Sequence, residues 1–199
     1  MAEAGVTASE VRYDGAVVRV REDTVERDGS TSHLEVVEHA DSVAVLALDT
    51  DDRVLLIRHD RHPAGGELWE LPAGLRDRAG EDPVDTARRE PTEETGWAAA
   101  RWSTVVDLRP SPGVSTETCR VYRATDLSRP GGAETGGDEA GMPQRWVPVD
   151  DAVAEVLDGR ITSALAVAGL LALAVRRASG VADRPAAAPW PSTGTDTAS

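Results

Sequence analysis

Apolar and polar positions alternate over much of the first part of the chain, and a period of two is typical of β-strands. The pattern predicts strands in short pieces between residues 11 and 48, preceded by loose residues at 1–8. Asp28 and Gly29 lie between two of these pieces and predict a turn, because both residue types favour turn conformations. The N-terminal part is therefore predicted to be a small strand subdomain.

Two continuous apolar runs follow, at residues 42–49 and 54–58. Continuous apolar runs of this length predict strands that are buried on both faces. The polar residues 50–52 lie between the two runs and predict a hairpin turn. The hydrophobic core is therefore expected to begin at about residue 42.

A helix is predicted at residues 83–95. Pro83 suits the first turn of a helix, where its missing N–H has no partner to lose, and Gly96 suits the position that ends one. The tail at 179–199 is rich in Pro, Ala, Ser and Thr, and we expect it to be disordered. The other predicted elements are strands at 102–108, 119–124 and 145–149, and helices at 149–157 and 162–177.

The charge balance argues against some classes of function. The 199 residues include 35 acidic and 21 basic side chains, for a net charge of −14. Such a surplus argues against binding of nucleic acid, which usually needs a basic face. The longest apolar run, residues 164–175, is shorter than the about 20 residues of a membrane span. The single Cys119 cannot form an internal disulfide, so we expect a cytoplasmic protein.

The predicted helix at 83–95 carries Glu90, Glu93 and Glu94. Residues three and four apart share one face of a helix, so these carboxylates are expected to cluster and repel one another. Divalent cations such as Mg²⁺ prefer carboxylate oxygens and would neutralise the cluster. A solvated acidic face is the other interpretation, and the three residues alone do not decide between them.

The surrounding residues resemble a known motif. The Nudix box reads Gly, a short spacer, Glu, seven residues, then Arg-Glu-apolar-X-Glu-Glu-X-Gly-apolar. This chain departs from it at Pro91, where Leu, Ile or Val is usual, and in the six residues between Gly74 and Glu81, where five are usual. We expect the helix to be retained at Pro91 with a local bulge. The residues that match in register are Glu81, Arg89, Glu90, Glu93, Glu94, Gly96 and Trp97.

The resemblance extends beyond the box to the ADP-ribose pyrophosphatase branch of the Nudix family, over about residues 10–178. It implies an α/β fold, the Nudix α/β/α sandwich with a mixed sheet and an N-terminal β-strand subdomain. The expected organisation is a disordered N-terminus at 1–8, the subdomain at 9–41, the Nudix domain at 42–178 and the tail beyond. In this branch the subdomain often builds a homodimer, and the partner's N-terminal region helps to form the substrate site.

The resemblance also implies a metal site. Glu90 and Glu94 would be the principal ligands of two to three Mg²⁺ or Mn²⁺ ions. Glu93 would assist, and the backbone carbonyl of Ala73 would complete the set. Arg89 and Glu81 would hold the ligands in position. A catalytic base is expected from the acidic loop at 128–141, with Glu139 first and then Asp138 and Glu134; a solvated loop without such a base is equally compatible with its composition.

Substrate contacts are implied for three more residues. Arg61 matches an arginine that contacts substrate phosphates in this branch, and Arg58 lies in the same segment. Asp60 brings a negative charge close to that position. Glu70 matches a position near the sugar hydroxyls, although a surface carboxylate is an equal alternative. Trp69 is expected in the core or an interface.

The resemblance implies hydrolysis of ADP-ribose to AMP and ribose 5-phosphate. Another nucleoside diphosphate sugar, such as GDP-mannose or UDP-glucose, is a second possible substrate. A Nudix domain that has lost catalysis and senses a nucleotide is an alternative of a different class. Neither a nucleic acid nor a membrane is expected as a partner.

Overall fold

The computed structural model describes residues 5–129 and 142–191, and the chain divides into two units. The first unit comprises residues 1–41 and 109–118. The second comprises residues 42–108 and 119–199. Residues 109–118 thus lie in the first unit and not in the Nudix domain, where the resemblance places them. The backbone explains the difference, because Val37 N–H donates to the Val114 carbonyl at 2.7 Å within the first unit.

The first unit contains a three-stranded antiparallel sheet in the order β1-β2-β3. Its strands are β1 (Gly5–Asp14), β2 (Val18–Arg27) and β3 (Ser30–His39). The predicted turn between β2 and β3 is confirmed, since Asp28 and Gly29 have φ values of 52° and 77°. The expectation of loose residues at 1–8 is wrong for residues 5–8. They belong to β1, where pairing such as Gly5 with Glu26 satisfies the backbone.

The second unit contains two sheets. The five-stranded sheet has the order β11-β8-β9-β4-β7, in which β4 and β9 run parallel and the other pairs are antiparallel. The three-stranded antiparallel sheet has the order β10-β5-β6. The strands are β4 (Ser42–Ala47), β5 (Arg53–Arg61), β6 (Gly66–Glu70), β7 (Ala73–Leu75), β8 (Ala98–Leu108), β9 (Cys119–Ser128), β10 (Gln144–Pro148) and β11 (Arg184–Pro185).

Helices cover both faces of the five-stranded sheet. They are α1 (Pro83–Thr95), α2 (Val149–Leu157) and α3 (Ala164–Ser179). Alternate residues of β4 face opposite clusters: Val45 lies in the cluster of Ala87 from α1, whereas Leu46 lies in the cluster of Leu170 from α3. Every residue of β4 is buried for this reason. The predicted α/β/α sandwich with a mixed sheet is thus confirmed. Among the described helices, none is long and apolar enough to cross a membrane.

The turn at residues 50–52 does not form the predicted hairpin. The strands that it joins, β4 and β5, belong to different sheets and meet at an isolated bridge between Leu48 and Val54. β4 instead pairs with β9 on one side and β7 on the other, and these pairings use the backbone N–H and C=O groups of β4. The turn itself is stabilised by Asp49, whose carboxylate accepts the backbone N–H of Asp51 at 3.0 Å.

The expectation of a disordered tail at 179–199 is wrong for its first part. Residues Arg184–Pro185 form β11 against the edge of β8. Arg120 also donates to the carbonyls of Ala188 and Pro189 at 2.7 and 2.6 Å. A composition rich in Pro and Ala does not indicate these contacts, because several of them are made by backbone carbonyls of the tail. Residues 192–199 lie outside the described part of the chain.

Pro91 lies inside α1 and does not interrupt it. Interior proline lacks the N–H that would bond to the carbonyl of Ala87, and costs a helix about 3 kcal/mol relative to alanine. We expect Pro91→Ala to raise the melting temperature by a few degrees, since the helical gain exceeds the loss of packing by one buried ring. Calorimetry of Pro91→Ala and Pro91→Leu would test this. A lower melting temperature in both variants would contradict it.

Candidate active site

The acidic face of α1 forms as the sequence predicted. Asp82 precedes the helix and Gly96 ends it, with φ 73° and its N–H bonded to the Thr92 carbonyl at 2.9 Å. The three glutamates differ in environment. Glu94 is 3% exposed, whereas 53% of the Glu93 side chain is open to solvent. The predicted ranking of the three as metal ligands stays a prediction.

Gly74 allows α1 to approach β7 closely. A Cβ atom placed at Gly74 would lie 2.1 Å from Cγ of Glu90 and 2.3 Å from its Cδ, which is far inside van der Waals contact. No side chain fits there without displacing Glu90. The glycine of the motif is therefore a steric requirement for the position of Glu90.

Ala73 makes a second contact between β7 and α1. Its backbone N–H donates to Oε2 of Glu94 at 3.2 Å, and its strand pairs with Ala44 of β4. β4, β7 and the two principal glutamates of α1 are therefore connected. The structure thus places Ala73 against Glu94 and Gly74 against Glu90, while the predicted role of the Ala73 carbonyl as a metal ligand stays a prediction.

Arg89 links four carboxylates around the helix. Its guanidinium donates to the two oxygens of Glu81 at 3.1 and 3.0 Å and also hydrogen-bonds Glu90. Glu93 Oε2 lies 3.6 Å from Arg89 Nη1, and Asp77 Oδ1 lies 3.6 Å from Nη2. These bonds, led by those to Glu81, raise the pKa of Arg89. The predicted positioning roles of Arg89 and Glu81 have the geometry that they need.

Glu81 is held as a carboxylate from two sides. The hydrogen bonds from Arg89 are the main cause that lowers its pKa to about 2, and the Thr86 hydroxyl donates a further bond at 2.8 Å. Thr86 is fully buried on α1. The sequence analysis missed this residue; its place five positions after Glu81, in the first turn of the predicted helix, was the available signal.

The lowered pKa of Glu81 makes stability depend on pH. Because the pKa falls from 4.5 to about 2 on folding, its stabilising effect is complete above about pH 4.5 and is lost as the pH falls towards 2. We expect Glu81→Gln to melt at a lower temperature than the wild type at pH 7, with a gap that narrows between pH 5 and pH 3. Melting curves over this range would test it, and a gap independent of pH would contradict it.

The residues of this site fit divalent cations by their chemistry. Glu90 and Glu94 are hard oxygen donors that are largely withdrawn from solvent, and burial is the main cause that raises the pKa of Glu90. Within residues 5–129 and 142–191, no group of three His, Cys, Asp or Glu side chains already converges for a metal. Like-charged carboxylates repel one another at close range, and here the positive charge beside Glu90 comes from Arg89.

The residues predicted to contact substrate lie on the small sheet, and two of them pair with each other. Arg61 donates through Nε and Nη2 to one oxygen of Glu70, at 3.0 and 2.7 Å. Glu70 is 7% exposed, whereas 42% of the Arg61 side chain is open to solvent. Arg58 bonds Glu67 at 2.7 Å instead. The sequence did not predict either pairing, because both depend on the register between β5 and β6.

Trp69 lies between two arginines of the same sheet. It packs against the core, as predicted, with the guanidinium of Arg145 4.1 Å and that of Arg58 5.9 Å from its ring centre. The sequence analysis missed Arg145, which comes from β10. The residues predicted as the base, Glu139, Asp138 and Glu134, lie outside the described residues.

Comparisons with known proteins agree with this geometry. Residues 38–166 match the model of the NUDIX domain. The chain is 41% identical to an ADP-ribose pyrophosphatase of Mycobacterium tuberculosis, over 92% of this chain and 89% of that one. It is 31% identical to a methanol dehydrogenase activator of Bacillus methanolicus, over 75% of this chain and 80% of that one.

A solved structure described as an ADP compounds hydrolase has the same fold. Its TM-score is 0.76 at 22% identity, and the match covers 90% of this chain and 97% of that one. The similarity to these proteins therefore extends over nearly the whole chain. It includes the sandwich fold and the segment that carries Gly74, Glu81 and Arg89. This chain belongs to the NUDIX family and is a Nudix hydrolase of the ADP-ribose pyrophosphatase type.

Proposed function

We propose that this enzyme hydrolyses the pyrophosphate bond of ADP-ribose to give AMP and ribose 5-phosphate. The observation that carries the proposal is the docking of α1 on β7, which seats Glu90 against Gly74 and Glu94 against Ala73. The M. tuberculosis relative, an ADP-ribose pyrophosphatase that this chain matches over 92% of its length, supports the choice of substrate.

The carboxylates of Glu90 and Glu94 and the carbonyl of Ala73 would hold two to three Mg²⁺ or Mn²⁺ ions, assisted by Glu93. Bound there, divalent cations neutralise charge on the pyrophosphate and acidify an attacking water. The chain supplies the positions of these ligands. Glu81 restrains Arg89, and Arg89 in turn restrains Glu90. The movement of the proposed ligand Glu90 is therefore limited by two residues that do not bind the metal themselves.

Arg61 is the proposed phosphate ligand. Its guanidinium is bound on one edge by Glu70 and is partly open to solvent. The planar guanidinium has five N–H donors, so it can keep Glu70 as an orienting partner while other donors bind phosphate. Glu70 then has the additional role of holding Arg61, and the sugar contact implied for Glu70 must use its other oxygen. Arg58 is a weaker candidate, because Glu67 pairs with it.

Glu139 is the proposed catalytic base. Glu139→Gln keeps the shape of the side chain but cannot take up a proton, and general-base catalysis contributes typically about 10²- to 10⁴-fold. We expect kcat to fall by that factor while KM changes little. Steady-state kinetics of Glu139→Gln, Asp138→Asn and Glu134→Gln would test this, with the largest fall expected for Glu139→Gln. Turnover near that of the wild type in Glu139→Gln would remove the residue from the mechanism.

The first unit is the proposed dimerisation surface of a homodimer. Its sheet and the turn beside it expose several large apolar side chains, which a second copy of the chain would bury. Equilibrium sedimentation of the wild type should give twice the chain mass. The apolar residues that are at least half exposed in this unit are Val6, Val11, Tyr13, Val17 and Leu34.

A substrate panel tests the proposed function. The purified enzyme is incubated with ADP-ribose, GDP-mannose or UDP-glucose and either Mg²⁺ or Mn²⁺, and a phosphatase releases phosphate from the monophosphate products. We expect the highest kcat/KM for ADP-ribose. A higher value for another sugar nucleotide would overturn the substrate while keeping the reaction. No turnover of any member would favour the nucleotide-sensing alternative.

A further inference from the structure

The described end of the chain, residues 180–190, forms a strap over the five-stranded sheet. Asp183, which has a side chain only 5% exposed, accepts a hydrogen bond from Ser103 Oγ at 2.6 Å and pairs with Arg123 at 2.9 Å. Arg176 donates to the carbonyl of Ala182. Together with the pairing of β11 and β8, these contacts fix the beginning of the C-terminal strap.

Arg120 fixes the end of the C-terminal strap from beneath. Its side chain is 1% exposed and bonds Asp107 at 2.6 and 3.1 Å. The same guanidinium donates to the carbonyls of Ala188 and Pro189. A buried cation needs acceptors for its N–H groups, and two of those acceptors here belong to the C-terminal strap. The C-terminal strap thus supplies hydrogen-bond acceptors that the buried guanidinium of Arg120 needs.

Trp190 extends from this anchor to the active-site side of the sheet. The guanidinium of Arg120 lies 4.9 Å from its ring centre, and that of Arg76 lies 4.3 Å away. Both distances are within the range of favourable cation–π contact. The ring also packs on the cluster that holds α1 against the sheet, beside a cavity of about 310 Å³ at the start of α1.

Arg76 belongs to the connection between β7 and α1. It follows Gly74 by two residues and precedes Glu81 by five. Gly74 is in contact with Glu90, and Glu81 holds Arg89. Trp190, at the far end of the C-terminal strap, therefore contacts the connection between β7 and α1. On one side of Arg76 this segment leads to Gly74, which lies against Glu90, and on the other side it leads to Glu81, which binds Arg89.

We propose that Trp190 is a positioning residue for the reaction. It holds Arg76, and thereby the connection at residues 76–82, in the conformation that seats Glu90 on Gly74 and presents Glu81 to Arg89. The proposal rests on the proposed function in treating this site as the catalytic one. A strap that merely stabilised the fold would change global unfolding and leave the connection no looser than the rest of the sheet.

The test compares Trp190→Ala with Trp190→Phe, which keeps an aromatic face for Arg76. Val181→Ala is the matched control, because Val181 lies in the same strap and is 59% exposed. Amide hydrogen exchange is measured without metal, and Mn²⁺ affinity, kcat and KM are measured for the same variants. A chain that ends at Pro191 shows whether the eight residues after the C-terminal strap contribute to the same readouts.

We expect Trp190→Ala to speed exchange at residues 76–82 by about two- to thirtyfold, the range that cation–π contacts give. Mn²⁺ affinity and kcat should fall by a similar factor, KM should change less than twofold, and Trp190→Phe should restore most of each loss. Val181→Ala and the shortened chain should behave as the wild type. Unchanged exchange at 76–82 in Trp190→Ala, or no recovery in Trp190→Phe, would overturn the proposal.

A double mutant shows whether Arg76 transmits the effect. If it does, Trp190→Ala has little further effect on exchange or Mn²⁺ affinity in an Arg76→Ala background. Additive effects would overturn the proposal. Both readouts are independent of substrate. A wild type that binds Mn²⁺ with the expected coupling but hydrolyses nothing would contradict the proposed function alone.

Discussion

Glu94→Gln is expected to lower kcat by about 10²- to 10⁴-fold, because metal ions supply several kcal/mol of charge stabilisation to a reaction of this kind. Glutamine replaces a charged ligand by a neutral one, and Mg²⁺ binds carboxylate oxygens in preference. The amide oxygen can still accept the N–H of Ala73, so the docking of α1 should persist. To test this, kcat is measured by steady-state kinetics and Mn²⁺ affinity by titration, for the wild type and for Glu94→Gln.

Glu93→Gln is the matched control for this prediction. Glu93 is on the same helix and next in sequence, but more than half of its side chain is exposed and it lies 3.6 Å from Arg89. Its loss is expected to cost less than tenfold in kcat, because one poorly held carboxylate contributes less than a buried ligand. Equal losses in the two variants would contradict the ranking of the glutamates, and no loss in Glu94→Gln would contradict its role as a ligand.

Gly74→Ala is expected to have the next largest effect, on stability and activity together. The new methyl group would lie 2.1 Å from Cγ of Glu90, so either β7 or the side chain must move. Overpacking of this kind costs about 1–3 kcal/mol. A shift of about 1 Å in a catalytic group can reduce the rate by about 10²-fold. We therefore expect a lower melting temperature and a fall in kcat of that order.

Gly113→Ala is the control for a change of Gly to Ala as such. A Cβ atom at Gly113 meets nothing within 4 Å, and the backbone there has no positive φ. Its melting temperature should equal or slightly exceed that of the wild type. The prediction fails if Gly74→Ala keeps the kcat and melting temperature of the wild type, since Glu90 would then have room that the structure does not show.

The helix that carries the site could be predicted from sequence because its signals are local. Pro83 and Gly96 mark its ends, and the spacing of Glu90, Glu93 and Glu94 places them on one face. The motif includes Gly74 but gives no contact between this residue and Glu90. The physical reason for this glycine, the lack of space for a Cβ atom, became visible when β7 and α1 were placed together.

Features that depend on pairing between distant segments could not be predicted. The hairpin expected at residues 50–52 failed because β4 pairs with β9, more than 70 residues away in sequence. The pairing of Arg61 with Glu70 follows from the register of β5 and β6, which no local pattern specifies. The strap was missed because Arg120 binds main-chain carbonyls, which every sequence has.

We infer that this chain cleaves a pyrophosphate bond with the carboxylates of α1 and divalent cations. The most direct measurement separates the products of ADP-ribose after incubation with the wild type and Mg²⁺, with excess EDTA, and with Glu94→Gln. We expect equal amounts of AMP and ribose 5-phosphate from the wild type, and almost none in the other two reactions. AMP formed at the same rate with EDTA or by Glu94→Gln would contradict it.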